Sequence, residues 1–228
     1  MKRVLISGGS SGIGEAIVQL FKSKNFDVIS LDKEKPSSLV SGVNYEIGNI
    51  SDEFFVREVV KKYDSIDLLI NNAAAQFVAP LKEQSVSQIK EVIDTNAFGT
   101  LLLTKICLEK MHHGLIINIG SVHSRVIRTK KIPYDLTKAG IRMFTKELAL
   151  ELEDEQTRVI GVEFGAVKTP MNSNFVNENE LKSALSKQTI PHLLTPKECA
   201  ELIYQLTTDT FQYMNGSILV YDCGRSLK

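Results

Sequence analysis

The chain alternates between short apolar runs and longer amphipathic stretches. The apolar runs predict strands at residues 4–7, 28–31, 43–47, 68–70, 115–119, 158–162 and 217–221. Most are near-continuous, as strands buried on both faces must be. Between most of them, apolar positions recur at helical spacing. Ile13, Ile17, Leu20 and Phe21 share one helix face, and Ile141, Phe144, Leu148 and Leu152 share another. Long helices are expected around residues 85–111 and 134–152. This alternation predicts an α/β protein with a doubly wound, mostly parallel, seven-stranded sheet and helices on both faces. Residues 171–191 break the rhythm. They are rich in Asn, Ser and Lys, and a loop of that length is expected to form a lid over a site. Phe175, Leu181 and Leu185 would line its apolar pocket or merely anchor it.

Composition narrows the function classes. The 228 residues are expected to form a single domain spanning 1–228. Lys plus Arg and Asp plus Glu each total 27, so the formal net charge is zero. That balance speaks against a general nucleic-acid binder and against a polybasic membrane-surface protein. Cys107, Cys199 and Cys223 lie far apart, with no CxxC and no His at metal spacing. They read as buried thiols in a reducing compartment, with no metal site. Lys2 and Arg3 precede only three apolar residues, and no run approaches the ~20 apolar residues of a membrane span. The expected location is the cytoplasm.

The first strand runs into Ser7-Gly8-Gly9-Ser10-Ser11-Gly12-Ile13-Gly14, and a helix follows at once. Glycines permit a tight turn and let backbone amides approach a pyrophosphate, while the helix N-terminus adds partial positive charge. An ordinary Gly-rich turn would look similar. Its place between first strand and first helix is what favours a dinucleotide site. Asp32 ends the second strand, where a carboxylate would accept hydrogen bonds from ribose hydroxyls and repel a 2′-phosphate. A solvated turn carboxylate is the plainer alternative. Asp32, together with Ser10 and Ser11 in a turn that lacks a basic residue, favours NAD(H). Lys33 and Lys35 keep NADP(H) possible.

Tyr134 and Lys138 form YxxxK at the start of a helix, which puts both on one face. A phenol with a pKa of about 10 is a poor base near neutral pH. A lysine ammonium about 4 Å away, at an effective dielectric near 20, would favour the phenolate by about 4 kcal/mol. The expectation is a tyrosine brought near working pH. Ser121 ends the fifth strand, where it could hold a carbonyl or alcohol oxygen or simply cap the strand. Asn96 sits inside a helical stretch. It would hold a water for proton relay or satisfy a kinked backbone.

In this combination and order the chain resembles the short-chain dehydrogenase/reductase family, in its compact single-domain branch, from Lys2 to about Gly224. The resemblance implies a Rossmann-like fold and an NAD(P)(H)-dependent oxidoreductase. A hydride would pass between nicotinamide and an alcohol or ketone. Gly8, Gly12 and Gly14, with Ser10, Ser11 and Ile13, match the glycine motif. Asn71, Asn72, Ala73 and Ala74 match the family's NNAG, which stabilises the sheet and faces the cofactor. Asn49 and Ile50 fall at the adenine side, and Gly165, Val167 and Thr169 at the nicotinamide side. Asn96, Ser121, Tyr134 and Lys138 match the catalytic tetrad. Tyr134 would be the general acid/base, Ser121 would polarise the oxygen, Lys138 would lower the tyrosine pKa and bind the ribose, and Asn96 would support a relay water. Asn215-Gly216 and Asp222-Cys223-Gly224 match the closing strand. The family also implies a homo-oligomer, dimer or tetramer, built on the two long helices. An NADP(H)-preferring ketone or 3-oxoacyl thioester reductase is the alternative, and a non-catalytic dinucleotide-binding regulatory protein is the more distant one.

Several positions depart from the family pattern. Ala74 replaces the last Gly of NNAG. Glu163-Phe164 replaces Asn-Pro, so the turn on the nicotinamide side is expected to differ. Asn49 stands where an Asp is usual and would still accept through its carbonyl. Cys223 replaces a Gly with no evident chemical role. Between Ser121 and Tyr134 lie His123, Arg125, Arg128, Lys130 and Lys131. This basic stretch is either a solvated loop or the mark of an anionic substrate.

Overall fold

The computed structural model describes residues 1–127, 129–172 and 178–228. Seven strands form one sheet in the order β3-β2-β1-β4-β5-β6-β7, and every pairing is parallel. They are β1 (Arg3–Ser7), β2 (Asp27–Asp32), β3 (Asn44–Ile47), β4 (Leu68–Asn71), β5 (Leu115–Ser121), β6 (Arg158–Phe164) and β7 (Ile218–Tyr221). Each falls on a predicted apolar run. The central strands are buried along nearly their whole length because helices cover both faces.

Two apolar clusters lie on opposite sides of the sheet. On one side, α1 (Gly12–Ser23) buries Ile17, Val18 and Phe21. The Phe21 ring meets Tyr204 of α7 (Pro196–Gln205) edge-on, with centroids 5.8 Å apart. On the other side, α2 (Glu53–Val60) contributes Val56, Val59 and Val60. The long helix expected at 85–111 is divided there. It runs as α3 (Val86–Ile93), a π-helical turn (Asp94–Gly99) and α4 (Thr100–Leu108). The other long helix is present as α5 (Ile132–Glu151). Pro133 sits in its first turn, where a missing N–H costs nothing. Part of the segment expected to be a loop is helical, as α6 (Glu178–Ser186).

Strand order reverses direction of growth between β1 and β4. Such a switch point opens a crevice at the carboxyl ends of the strands. Polar side chains brace it. Asn71 Nδ2 donates to Thr104 Oγ1 (2.9 Å) and Asn118 Oδ1 (2.8 Å), and Asn118 Nδ2 donates to Thr145 Oγ1 (3.0 Å). These bonds tie β4 to α4, β5 and α5. Among the described residues, no helix is long and apolar enough to cross a membrane, and no group of three or more His, Cys, Asp and Glu side chains could hold a metal ion.

Candidate active site

A cleft runs along the carboxyl ends of β2, β1, β4, β5 and β6. Gly8, Ser11, Gly12 and Ile13 line it at the turn before α1. Gly8 and Gly12 have φ of +71° and +56°, which glycine adopts without strain. Ser11, the N-cap of α1, makes no side-chain cap bond. The first amides of a helix have no partner within it, so this end is suited to an anion. Asn72 pins the turn from below, its Nδ2 donating to Ser7 O (3.0 Å) and Gly8 O (2.9 Å).

Two residues expected at the cofactor shape the turn and do not line the cleft. Ser10 is buried; its N–H donates to Asp32 Oδ2 (2.9 Å) and its hydroxyl to Glu34 O (2.6 Å). Gly14 packs against the turn so closely that a Cβ would lie 1.9 Å from Gly8 O. Asp32 does line the cleft, and its other oxygen accepts from Glu34 N (3.2 Å). A carboxylate has about four acceptor sites, so capacity remains for ribose hydroxyls. Lys33 pairs with Glu91 at 2.9 Å. Asn49, Ile50, Ala73, Ala74, Gly165, Val167 and Thr169 also reach the cleft. The Asn49 carbonyl already accepts from Ser51 N (3.0 Å). The open glycine cradle, the uncapped helix end and the carboxylate at the β2 end fit a dinucleotide.

Ser121, Tyr134 and Lys138 meet at the other end of the same cleft, and all three are buried. Ser121 stands at the end of β5, while Tyr134 and Lys138 project from one face of α5. Lys138 Nζ donates to Ile119 O (2.8 Å) and lies 5.6 Å from the Tyr134 ring centroid. Burial pushes the Tyr134 phenol up to about 12; its hydrogen bond with Ser121 pulls down and the Asp135 carboxylate pushes up. Burial also lowers the Lys138 ammonium to about 8. The protein alone therefore does not hold Tyr134 near neutral pH, contrary to the expectation from the YxxxK spacing. Desolvation of the buried phenolate is the largest cause of the rise.

Asn96 lies within the π-helical turn and does not line the cleft. Its Oδ1 accepts from Ala75 N (2.7 Å), and its Nδ2 donates to Ala75 O (3.0 Å) and Thr137 Oγ1 (3.1 Å). It ties the segment after β4 to α5 and so supports the helix that carries Tyr134. The π turn fits the expectation of an Asn placed where the backbone is distorted.

A second cavity of about 600 Å³ shares Ser121, Tyr134 and Gly165 with the cleft. Within the basic loop the cations divide. Arg125 is held by Glu163, Nε to Oε2 at 3.1 Å. Lys130 is exposed, and Arg128 lies outside the described residues. His123 and Lys131 line the cavity. His123 Nδ1 is 3.1 Å from Asp135 Oδ1, and Lys131 Nζ donates to Gln76 Oε1 (2.7 Å). Of the segment expected to form a lid, Met171, Asn172, Ser183, Ala184, Lys187 and Gln188 line the cavity; Phe175 lies outside the described residues. Lys187 and Arg225 were not legible as site residues, because nothing in their local sequence marks them.

Two of the departures from the family pattern can be placed in the structure. Glu163 is 2% exposed and accepts from Ser124 Oγ, Arg125 and Arg142, the last at 2.8 Å. Cys223 has φ +54°, a conformation suited to the usual glycine.

A family model described as short chain dehydrogenase matches residues 2–180. The 3-oxoacyl-[acyl-carrier-protein] reductase FabG of Thermotoga maritima is 32% identical, over 98% of this chain and 97% of its own. A 4-hydroxyisoleucine dehydrogenase solved with NADH superposes with a TM-score of 0.92 at 26% identity, covering all of both chains. A short chain dehydrogenase from Leptospira borgpetersenii solved with bound NAD+ gives a TM-score of 0.91 at 26% identity, over 99% of this chain and 92% of its own.

Proposed function

Since the chain belongs to the short-chain dehydrogenase family, we propose that it interconverts an alcohol and a ketone with NAD(H), using Tyr134 as general acid/base. The single observation that carries this reading is the convergence of Ser121, Tyr134 and Lys138 on one cleft with the glycine turn. A binding module would have no use for all three.

When bound, a nicotinamide dinucleotide supplies or accepts the hydride. The turn from Gly8 to Ile13 would hold its pyrophosphate, Asp32 the adenosine ribose, and Val167 and Thr169 its nicotinamide side. In the direction of reduction, the Ser121 hydroxyl donates a hydrogen bond to the substrate carbonyl oxygen. The Tyr134 phenol gives its proton to the same oxygen. A phenol pushed up to about 12 is a competent acid toward an incipient alkoxide. The Lys138 ammonium stabilises the phenolate left behind. In the direction of oxidation, Tyr134 would take the proton from the alcohol oxygen, as a phenolate favoured by the Lys138 ammonium. Asn96 holds the backbone at Ala75 and the start of α5.

NAD(H) is favoured over NADP(H) because Asp32 lies in the cleft and Lys33 is paired with Glu91. The NADH- and NAD+-bound relatives agree with that preference. Exposed Leu101 on α4 and Leu136 and Met143 on α5 support self-association through these helices, which light scattering would test.

The chain has no Trp, so emission from bound reduced cofactor can be titrated cleanly. NADH should bind more tightly than NADPH, and Asp32→Ala should narrow the gap. In a panel of alcohols and ketones, Tyr134→Phe should lower kcat by about 10²–10⁴ while NADH binding persists. Equal turnover by Tyr134→Phe and wild type refutes the assignment, and tighter NADPH binding refutes the cofactor preference.

A further inference from the structure

The cavity beside Ser121 and Tyr134 gathers basic side chains. Lys131, Lys187 and Arg225 line it, and no Asp or Glu is among its described lining residues. This stands against equal totals of 27 acidic and 27 basic residues in the chain. The three cations come from separate parts of the fold: the start of α5, the end of α6 and the C-terminal turn. Lys131 is 6% exposed, so its ammonium is largely withdrawn from water. It donates to Gln76 Oε1 (2.7 Å), another lining residue, which fixes it at the cavity wall.

The C-terminal turn that brings Arg225 is firmly built. Asp222 caps it, accepting from Gly224 N (2.9 Å) and Ser226 N (2.7 Å). Cys223 O accepts from Thr189 N (3.0 Å) and Ile190 N (3.1 Å), which ties the turn to the segment after α6. Lys228 Nζ donates to Gln188 O (3.0 Å) across the same junction. Arg225 and Lys187 are thus presented to the cavity by one braced unit.

Resting on the reading of Ser121 and Tyr134 as the reacting end, we infer that the substrate is a small hydroxy or keto compound with its own anionic group, held by Lys131, Lys187 and Arg225. A cavity of about 600 Å³ falls within the range of small-ligand sites, so the anion enters it with the rest of the molecule. A carrier-bound thioester differs, because its charges lie at the far end of a long arm. The cations select for charge and set KM, while Ser121 and Tyr134 perform the chemistry.

The test compares matched pairs with NADH. Acetoacetate is set against methyl acetoacetate, pyruvate against methyl pyruvate, and dihydroxyacetone phosphate against dihydroxyacetone. Acetoacetyl coenzyme A is added as the carrier-type substrate. The anionic member of at least one carboxylate or phosphate pair should be favoured in kcat/KM by about tenfold or more. Which pair responds separates a carboxylate from a phosphate. In Lys187→Gln/Arg225→Gln the preference should collapse about tenfold, through KM and not kcat. Added salt should weaken it likewise. A readout free of turnover is the change in bound-NADH emission as each anion or its neutral partner is titrated in. Equal kcat/KM and equal emission titrations within every pair overturn the inference. So does acetoacetyl coenzyme A outrunning acetoacetate with a KM unmoved by the double substitution. Failure of the underlying reading looks different: NADH does not bind, or Tyr134→Phe matches wild type on whichever substrate turns over.

Discussion

Glu163→Gln tests a buried carboxylate that accepts from three side chains. Glu163 is 2% exposed on β6, and its two oxygens accept from Ser124, from Arg142 at 2.8 Å and from Arg125 at 3.1 Å. An amide keeps the shape but removes the charge, and turns one acceptor into a donor facing a guanidinium or a hydroxyl. Breaking a buried ion pair by removing one partner costs about 3–5 kcal/mol. The Arg125 and Arg142 side chains are 37% and 29% exposed, so water recovers part of their solvation. The lower end, about 3 kcal/mol, is the expected loss. In a chain this long, about 2–4 °C of Tm follows each kcal/mol, so Tm should fall by about 6–12 °C. Calorimetry with the apoprotein measures it, and urea unfolding at unchanged m checks it. The loop from Ser121 to Arg125 is anchored by the same carboxylate, so kcat should fall as well. A cycle with Arg142→Gln should show coupling above about 0.5 kcal/mol. A Tm shift under about 2 °C with no coupling would refute the reasoning, because the carboxylate would then be no more than a solvated surface charge.

Three further outcomes are expected. Lys138 is about 8 when folded against 10.5 unfolded, so between those values the unfolded chain binds more protons and this group's contribution to stability rises with pH, by about 3 kcal/mol in all; Lys138→Met should remove that slope in denaturation curves taken from pH 8 to 10.5. Asp135→Asn removes a carboxylate that pushes Tyr134 up, so the apparent pKa in the pH–rate profile of alcohol oxidation should fall; an unmoved profile counts against the coupling. Cys223→Gly relieves a non-glycine residue at φ +54° and should stabilise the protein by about 1 kcal/mol in urea unfolding.

Much of the architecture was legible because it is written in local pattern. Short apolar runs such as residues 115–119 suit strands covered on both faces, and all seven predicted strands are present. The glycine turn was equally readable, since positive φ at Gly8 and Gly12 is a local backbone requirement. Within that turn, however, sequence could not separate residues that face the cleft from those that shape it. Ser10 and Gly14 are turned inward by bonds and contacts to Asp32, Glu34 and Gly8. The π turn at Asn96 was not foreseen either, because one extra residue per turn leaves almost no trace in apolar spacing.

The sequence by itself determined the parallel sheet, the glycine turn and the order of Ser121, Tyr134 and Lys138 along the chain. These rest on side-chain periodicity and backbone freedom, which are properties of neighbouring residues. Tertiary structure alone decided which cations face the cavity. Arg125 is neutralised by Glu163 from a strand far along the chain, while Lys187 and Arg225 reach the cavity only because the C-terminal turn is tied to the segment after α6. It also decided the acidity of Tyr134. Charge and desolvation depend on distance and burial in space, and spacing along the chain encodes neither.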